Sequence, residues 1–503
     1  MSDLKERAVR GALARVSAQG VNFLLRLGSL AFLARLLEPK DFGLVGMVTA
    51  FTGALYLFRD FGLSAATVQH AAITEEQTST LFWINVLVGA VLAALTFLLA
   101  PVVAAFYHEP RLSAIMSVVA TSFLFNAAGI QHSARLQREM RFTALSIIDT
   151  ASWIVSSAVA IFAATSGYGY WSLVAMTVAL PITTTTAFWV TTGWIPGMPR
   201  RHHGIRSMMR FGGTITLNGI VVYLASNFEK VLLGRFWGPA AIGLYGRAYQ
   251  FIRIPTDTLN SAVGEVAFST LSRLQDDPGR LRRYFLKGYS AVVALTLPAT
   301  LCCVICADDI ILVLLGPKWI GAGIIFRLLA PTILVFAIAN PLAWLVSAIG
   351  RVERGLKMSL VIAPILIAAY FVALPYGPSA VACAYSVVMM LWVVPVILWS
   401  IHGTPITFKD TLLALSRPMA ASVVAAALAV LVRPVTGHSP LFRLALQTAV
   451  LLGVYAWMLL YPMGQKSFYF ELFGTLHTRG GKAPITTEPA ISKEPIATAE
   501  LGS

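Results

Sequence analysis

The chain has 503 residues, 57% of them apolar and only 12% charged, and its 38 Lys and Arg outnumber 23 Asp and Glu for a net charge of +15. Charged residues make up about a quarter of a soluble globular domain, so this composition excludes one and leaves a chain that crosses a membrane repeatedly. Nucleic acid is excluded as a partner too, because the basic residues stand in short clusters between apolar runs rather than along one face.

The N-terminus carries Lys5, Arg7, Arg10 and Arg15 and runs straight into an apolar stretch. That stretch is too long for a signal-peptide core and lacks a small-x-small cleavage pattern, so it reads as an uncleaved anchor. Within this first span, over 16–37, Arg15, Gln19, Asn22, Arg26 and Ser29 fall inside about 80° of arc, forming one polar stripe on an apolar helix. The span ends in LARLLEPKDFGLVGM, where a Pro and a Gly punctuate the passage to the next helix. Further spans are predicted over 43–59, 80–104, 112–134, 143–165, 169–191, 211–235, 241–268, 286–306, 322–347, 357–374, 379–401, 412–432 and 441–462, which makes fourteen in all.

Placing the N-terminus in the cytoplasm puts about four times as many Lys and Arg on the cytoplasmic side as on the other, as the positive-inside rule requires. Both termini are then cytoplasmic. The turn after span one returns after span seven as LGRFWGPAAIGLYGR. Arg35, Pro39, Gly43, Leu44 and Gly46 match Arg235, Pro239, Gly243, Leu244 and Gly246, and Val21, Leu24 and Leu33 match Val221, Leu224 and Leu233 in the same register. An even number of spans separates the copies, so the halves should be related by an axis along the membrane normal. The expected organisation is an all-α polytopic membrane protein with a first lobe over 1–195 and a basic cytoplasmic linker over 196–210. A second lobe covers 211–401, two extra helices lie in 402–464, and a disordered cytoplasmic tail occupies 465–503.

Ionisable residues inside the spans are the candidate site, since a charge retained at depth faces a bundle interior or a wet cavity. Span one offers Arg26, with Asn22 and Gln19 on its stripe and no carboxylate of its own. Span seven has Glu229 beside Lys230, which point about 100° apart and need not pair. On span eight Gln250, Arg253, Asp257 and Asn260 share a face, with Arg253 and Asp257 spaced as a helix ion pair around Pro255, while Arg247 and Glu265 lie toward its ends. Arg327, at the outer start of span ten, can reach the membrane surface along its own stem. The deep cations outnumber the carboxylates, and guanidinium binds phosphate oxygens through paired hydrogen bonds, so an anionic phosphate or diphosphate group is the expected ligand. Glu229, Asp257 and Glu265 are the candidates for ion coupling.

Enzyme constellations are missing from the sequence. It contains no GxSxG, HExxH or GxxxxGK[ST] motif, so neither a catalytic metal nor a cofactor is expected, and an ATP-driven pump would need a separate subunit. Cys302, Cys303, Cys306 and Cys383 all lie in apolar runs, and the CxxC spacing of Cys303 and Cys306 has no second pair to complete a metal site. No outer loop exceeds about fifteen residues, which leaves no room there for a folded domain.

The stretch LGSLAFLARLLEPKDFGLVGMVTAF, then LFRDFGLSAATVQ, AAFYHEPRL and LLGPKW, resembles the Wzx-type polysaccharide transporter branch of the multidrug/oligosaccharidyl-lipid/polysaccharide flippase superfamily over about residues 10–465. The resemblance implies two six-helix bundles around a central cavity that opens alternately to either face. It implies an undecaprenyl-diphosphate-linked oligosaccharide as substrate, at a bacterial inner membrane, for exopolysaccharide, capsule or O-antigen synthesis. A polysaccharide polymerase and a chain-length regulator are the implied partners. Arg26 matches an arginine that related flippases carry in their first helix, and Arg253 is a second candidate. Two other readings remain open: a cation-coupled drug or metabolite exporter of the same superfamily, and a membrane glycan polymerase.

Overall fold

The computed structural model describes residues 20–466 apart from 22, 61–62, 70–72, 200–204, 352 and 437–438. Helix α1 runs over 23–36 and stops before Glu38, where Pro39 opens α2 (Pro39–Tyr56). Proline suits this first helical position because its missing N–H has no helical partner to lose. The Glu38 N–H donates to Asp41 Oδ2 at 3.0 Å, fixing the angle at which the chain enters α2. The second copy of the motif solves the same problem differently. There α8 (Ile205–Arg273) runs through the motif and bends at Gly238, whose φ of 78° favours a residue without a Cβ.

Between these copies lie α3 (Leu63–Gln69), α4 (Glu75–Tyr107), α5 (Arg111–Arg138), α6 (Phe142–Thr165) and α7 (Trp171–Thr192). Beyond them come α9 (Pro278–Ile305), α10 (Ala307–Leu314), α11 (Ile320–Leu329), α12 (Pro331–Ala348), α13 (Glu353–Ala373), α14 (Pro378–Ile401), α15 (Phe408–Leu431) and α16 (Pro440–Leu460). Among the described residues ten helices, α4 to α7, α9 and α12 to α16, are long and apolar enough to cross a membrane. The other four predicted spans fall on α1, α2 and the two arms of α8, which are helical but outside that group.

Two boundaries differ from expectation. The tenth predicted span is broken into α11 and α12 at Pro331, and the outer segment before it, expected to be a loop, folds as α10 and a 3-10 turn over 317–319. The basic linker is shorter than 196–210, because α8 has already begun at Ile205. The tail beyond Lys466 lies outside the described residues.

The packing order repeats along the chain. In the first half α4 packs on α5, α5 on α7 and α6 on α7; in the second α9 packs on α12, α12 on α14 and α13 on α14. Helices α15 and α16 pair with each other and attach to α9. The halves meet where α2 lies along α8. A Cβ on Gly43 would collide with the Pro239 carbonyl oxygen, and a Cβ on Gly243 with that of Pro39. The two copies of the motif therefore grip each other reciprocally, as a local two-fold axis demands.

Further contacts close this end of the bundle. The Trp319 indole N–H donates to Ala34 O at 2.7 Å, Trp319 packs edge-on to Phe42, and Arg35 Nη2 donates to Val313 O at 2.6 Å. Arg443 grips Asp309, with Nε 2.8 Å from Oδ2, and so fastens α16 to α10. Arg327, expected to reach the membrane surface, pairs with Asp308. Leu33, Leu44, Tyr245 and Trp319, all at most 2% exposed, belong to one core shared by both halves at this closed end.

A polar hollow at the open end of the first half

The residues of α2 from Pro39 to Tyr56 span about 27 Å at the helical rise, so its far end lies well away from the closed turn. At that far end the structure opens into a hollow of about 520 Å³ walled by α1, α2, α3, α5, α6 and α7. Arg26 enters it from α1 and Trp153 from α6, with the guanidinium carbon 4.6 Å from the indole ring centre. Where α2 unwinds, Arg59 lies over Tyr56 at 4.3 Å, and both residues line the same space. Such stacking holds a guanidinium flat while leaving its N–H edges available. Among the described residues no ion pair joins Arg26 or Arg59 to a carboxylate.

Asp60 and Asp149 supply the acids of the lining. Asp60 Oδ1 accepts the Ser64 N–H at 2.9 Å and its other oxygen accepts the Ser64 hydroxyl, which anchors the start of α3. Asp149 lies one helical turn before Trp153 and shares its face of α6. Asn126 and Gln137 add amides from α5: Asn126 gives an N–H to Ser122 O at 2.9 Å and Gln137 one to Ser133 Oγ at 3.3 Å. Thr184 and Thr185 complete the wall from α7, and the approach of α7 to α5 is close enough that a Cβ on Gly129 would crowd the Thr185 hydroxyl at 2.6 Å.

The other predicted site residues lie elsewhere. Lys230, on the first arm of α8, donates to Asn227 Oδ1 at 2.6 Å and sits 5.1 Å from the Tyr249 ring centre. Its neighbour Glu229 is 2% exposed, and Glu229 Oε2 has no hydrogen-bond partner among the described residues. Arg247 turns back toward the joint between the halves, 4.8 Å over the Phe42 ring. Arg253 lies 3.4 Å from Asp257, the helix pair that the spacing predicts, and 5.7 Å from the Phe336 ring centre. Asn260 Oδ1 accepts the Trp344 indole N–H at 3.1 Å, and Gln250 is half-buried on the same arm. Tyr249, whose ring Lys230 approaches, lies one turn before Arg253 on the second arm. Gln19 and Asn22 fall outside the described residues, as does the side chain of Glu265.

The expected surplus of cations is thus divided. Arg26 shares its hollow with Arg59 and two carboxylates, whereas Lys230, Arg247 and Arg253 are carried by α8 and do not line it. Arg59, Asp60 and Asp149 are lining residues that the sequence reading did not single out. Arg59 and Asp60 sit in the LFRDFG stretch just past a span, and Asp149 sits one turn before a tryptophan near the start of another.

Comparison with known proteins places this architecture. A family described as polysaccharide biosynthesis protein matches residues 32–323, more than half of the chain. The chain is 26% identical over 364 residues to the lipopolysaccharide biosynthesis protein WzxC of Escherichia coli, covering 71% of this chain and 73% of that protein. It is 29% identical over 299 residues to the teichuronic acid biosynthesis protein TuaB of Bacillus subtilis, covering 58% of this chain and 61% of TuaB. Among solved structures, the lipid II flippase MurJ in its inward closed conformation superposes with a TM-score of 0.72 at 14% identity, over 92% of this chain and 100% of MurJ. An inward-facing multidrug-resistance MATE transporter superposes with a TM-score of 0.61 at 14% identity, over 77% of this chain and 97% of that one. These two likenesses establish a shared fold.

Proposed function

The chain belongs to the polysaccharide biosynthesis protein family, and from that premise we propose that it is a flippase: it carries an undecaprenyl-diphosphate-linked oligosaccharide across the bacterial inner membrane during synthesis of an exopolysaccharide, capsule or O-antigen. It is a transporter rather than an enzyme. The headgroup enters a polar interior between membrane helices while the prenyl tail stays in lipid. The observation that carries this reading is Arg26, the cation of the first predicted span, which lines a hollow of about 520 Å³. A charge at such depth costs about 2.5–3.5 kcal/mol on insertion scales, a cost offset when the hollow is wet or holds a polar ligand.

The mechanism is alternating access. In this conformation the reciprocal grip of Gly43 and Gly243, with Trp319 on Ala34, closes the end that the basic-residue count assigns to the outer face. The hollow lies toward the other end, which the same count assigns to the cytoplasm, where the lipid-linked precursor is assembled. Rocking the first lobe (1–195) against the second (211–401) would release the grip and present the headgroup outside, where a polymerase and a chain-length regulator are the natural recipients. Arg26→Ala tests the reading: polymer export should be lost while the protein stays in the membrane at its normal level. Unchanged export would remove Arg26, and with it the hollow, from the transport path.

A further inference from the structure

Two groups of polar side chains sit within this helical bundle, and their charge balance differs. In the first-half hollow Arg26 and Arg59 share the lining with Asp60 and Asp149, so formal charges cancel. On α8, Lys230 sits 5.1 Å from the ring centre of Tyr249, one turn before Arg253, and with Arg247 these make three cations against Glu229 and Asp257, a surplus of one. A diphosphate is held by surplus positive charge. The hollow, with its charges balanced, offers none.

A sugar ring makes the opposite demand. It is uncharged, its hydroxyls both donate and accept at short intervals, and one or both faces of the ring are apolar C–H surface. Carboxylates, amides and guanidinium edges satisfy the hydroxyls, and a flat aromatic side chain supports the apolar face. The hollow carries all of these: Asp60 and Asp149 accept, the guanidinium edges of Arg26 and Arg59 donate, and Asn126 and Gln137 do both. Trp153 and Tyr56 supply the aromatic planes, with their guanidinium partners already seated on them. A volume of about 520 Å³ lies within the ~300–1,000 Å³ typical of small-molecule sites.

We propose, building on the flippase reading above, that this hollow is a glycan subsite that reads the sugars of the lipid-linked substrate, and that the diphosphate is held by the α8 cations instead. Selection among substrates then resides in the first half and retention of the anionic lipid in the second.

The test compares two probes in proteoliposomes of the purified full chain: a polyprenyl diphosphate bearing one hexose, and the same lipid bearing a complete oligosaccharide repeat unit. The wild type should move the second faster. Trp153→Leu and Gln137→Ala should each lower the ratio of the two rates by about tenfold, the loss expected for one good polar or stacking contact. Trp153→Phe, which keeps a flat ring, should restore most of the ratio. Arg253→Ala should slow both probes alike and leave the ratio where it was. A ratio unchanged by both Trp153→Leu and Gln137→Ala, in protein that elutes as a single folded species, overturns the glycan subsite while the flippase reading stands. So does a ratio that moves in Arg253→Ala alone. Transport of neither probe by the wild type overturns both.

Discussion

Arg26 and Trp153 form the contact on which the residue-scale account turns. A guanidinium lying on an indole is positioned before any ligand arrives, and its fork of N–H groups is what a lysine cannot reproduce. Arg26→Lys should therefore keep the charge, lose the fork and reduce transport by about tenfold, a smaller loss than Arg26→Ala, because a hydrogen bond to a charged group is worth about 1.5–3 kcal/mol. Initial rates at limiting substrate measure this, and equal rates for Arg26→Lys and wild type would show that charge alone suffices. Arg26 was legible in the sequence because a lone cation in a long apolar run stands out. Asp60 was not, because it lies in the turn past α2, whereas Asp149, two turns inside α6, carries the same signal as Arg26 and gains its meaning only from what it faces. Only the convergence of six helices on one space gives them a shared role. Arg247 was legible by the same signal, and its place over Phe42 sets this α8 cation beside the joint between the halves.

At the scale of elements, the decisive contact is α2 against α8. Glycines at 43 and 243 let backbone meet backbone, each facing the carbonyl of the proline that opens the other copy of the motif. Gly43→Ala or Gly243→Ala forces a methyl group into that carbonyl, and overpacking of this kind costs typically ~1–3 kcal/mol. The closed end should loosen. A single cysteine placed in the hollow, at Ser133, should then react faster with a membrane-impermeant thiol reagent added from the outer face; an unchanged rate would mean that this grip does not hold the outer gate. The repeat was visible in sequence as a gapless match of Pro39 with Pro239 and Gly43 with Gly243. That the copies face each other was not visible, since a repeat fixes symmetry without fixing which surfaces meet. The break at Pro331 was blurred for a different reason: α11 and α12 together read as one apolar run of membrane length, and α10 is too short to register as a span.

For the whole molecule, two halves with the same order of helix packing give a bundle closed at one end and hollow toward the other. Helices α15 and α16 have no counterpart in the repeat, yet Arg443 ties α16 to α10, which in turn holds the α1 end through Arg35 and Val313. The added pair is therefore linked mechanically to the closed end. Composition alone carried the membrane class, and the spacing of apolar runs carried the helix order. The joint between the halves and the position of the hollow required the fold, because both arise from residues far apart in the chain. The most direct measurement of the central claim is transbilayer movement of a polyprenyl-diphosphate oligosaccharide in vesicles reconstituted with the purified protein, read by exposure of the sugar to a membrane-impermeant oxidant. The account predicts movement well above protein-free vesicles, and its loss with Arg26→Ala. Folded protein that leaves the sugar exposure at the protein-free level would contradict it.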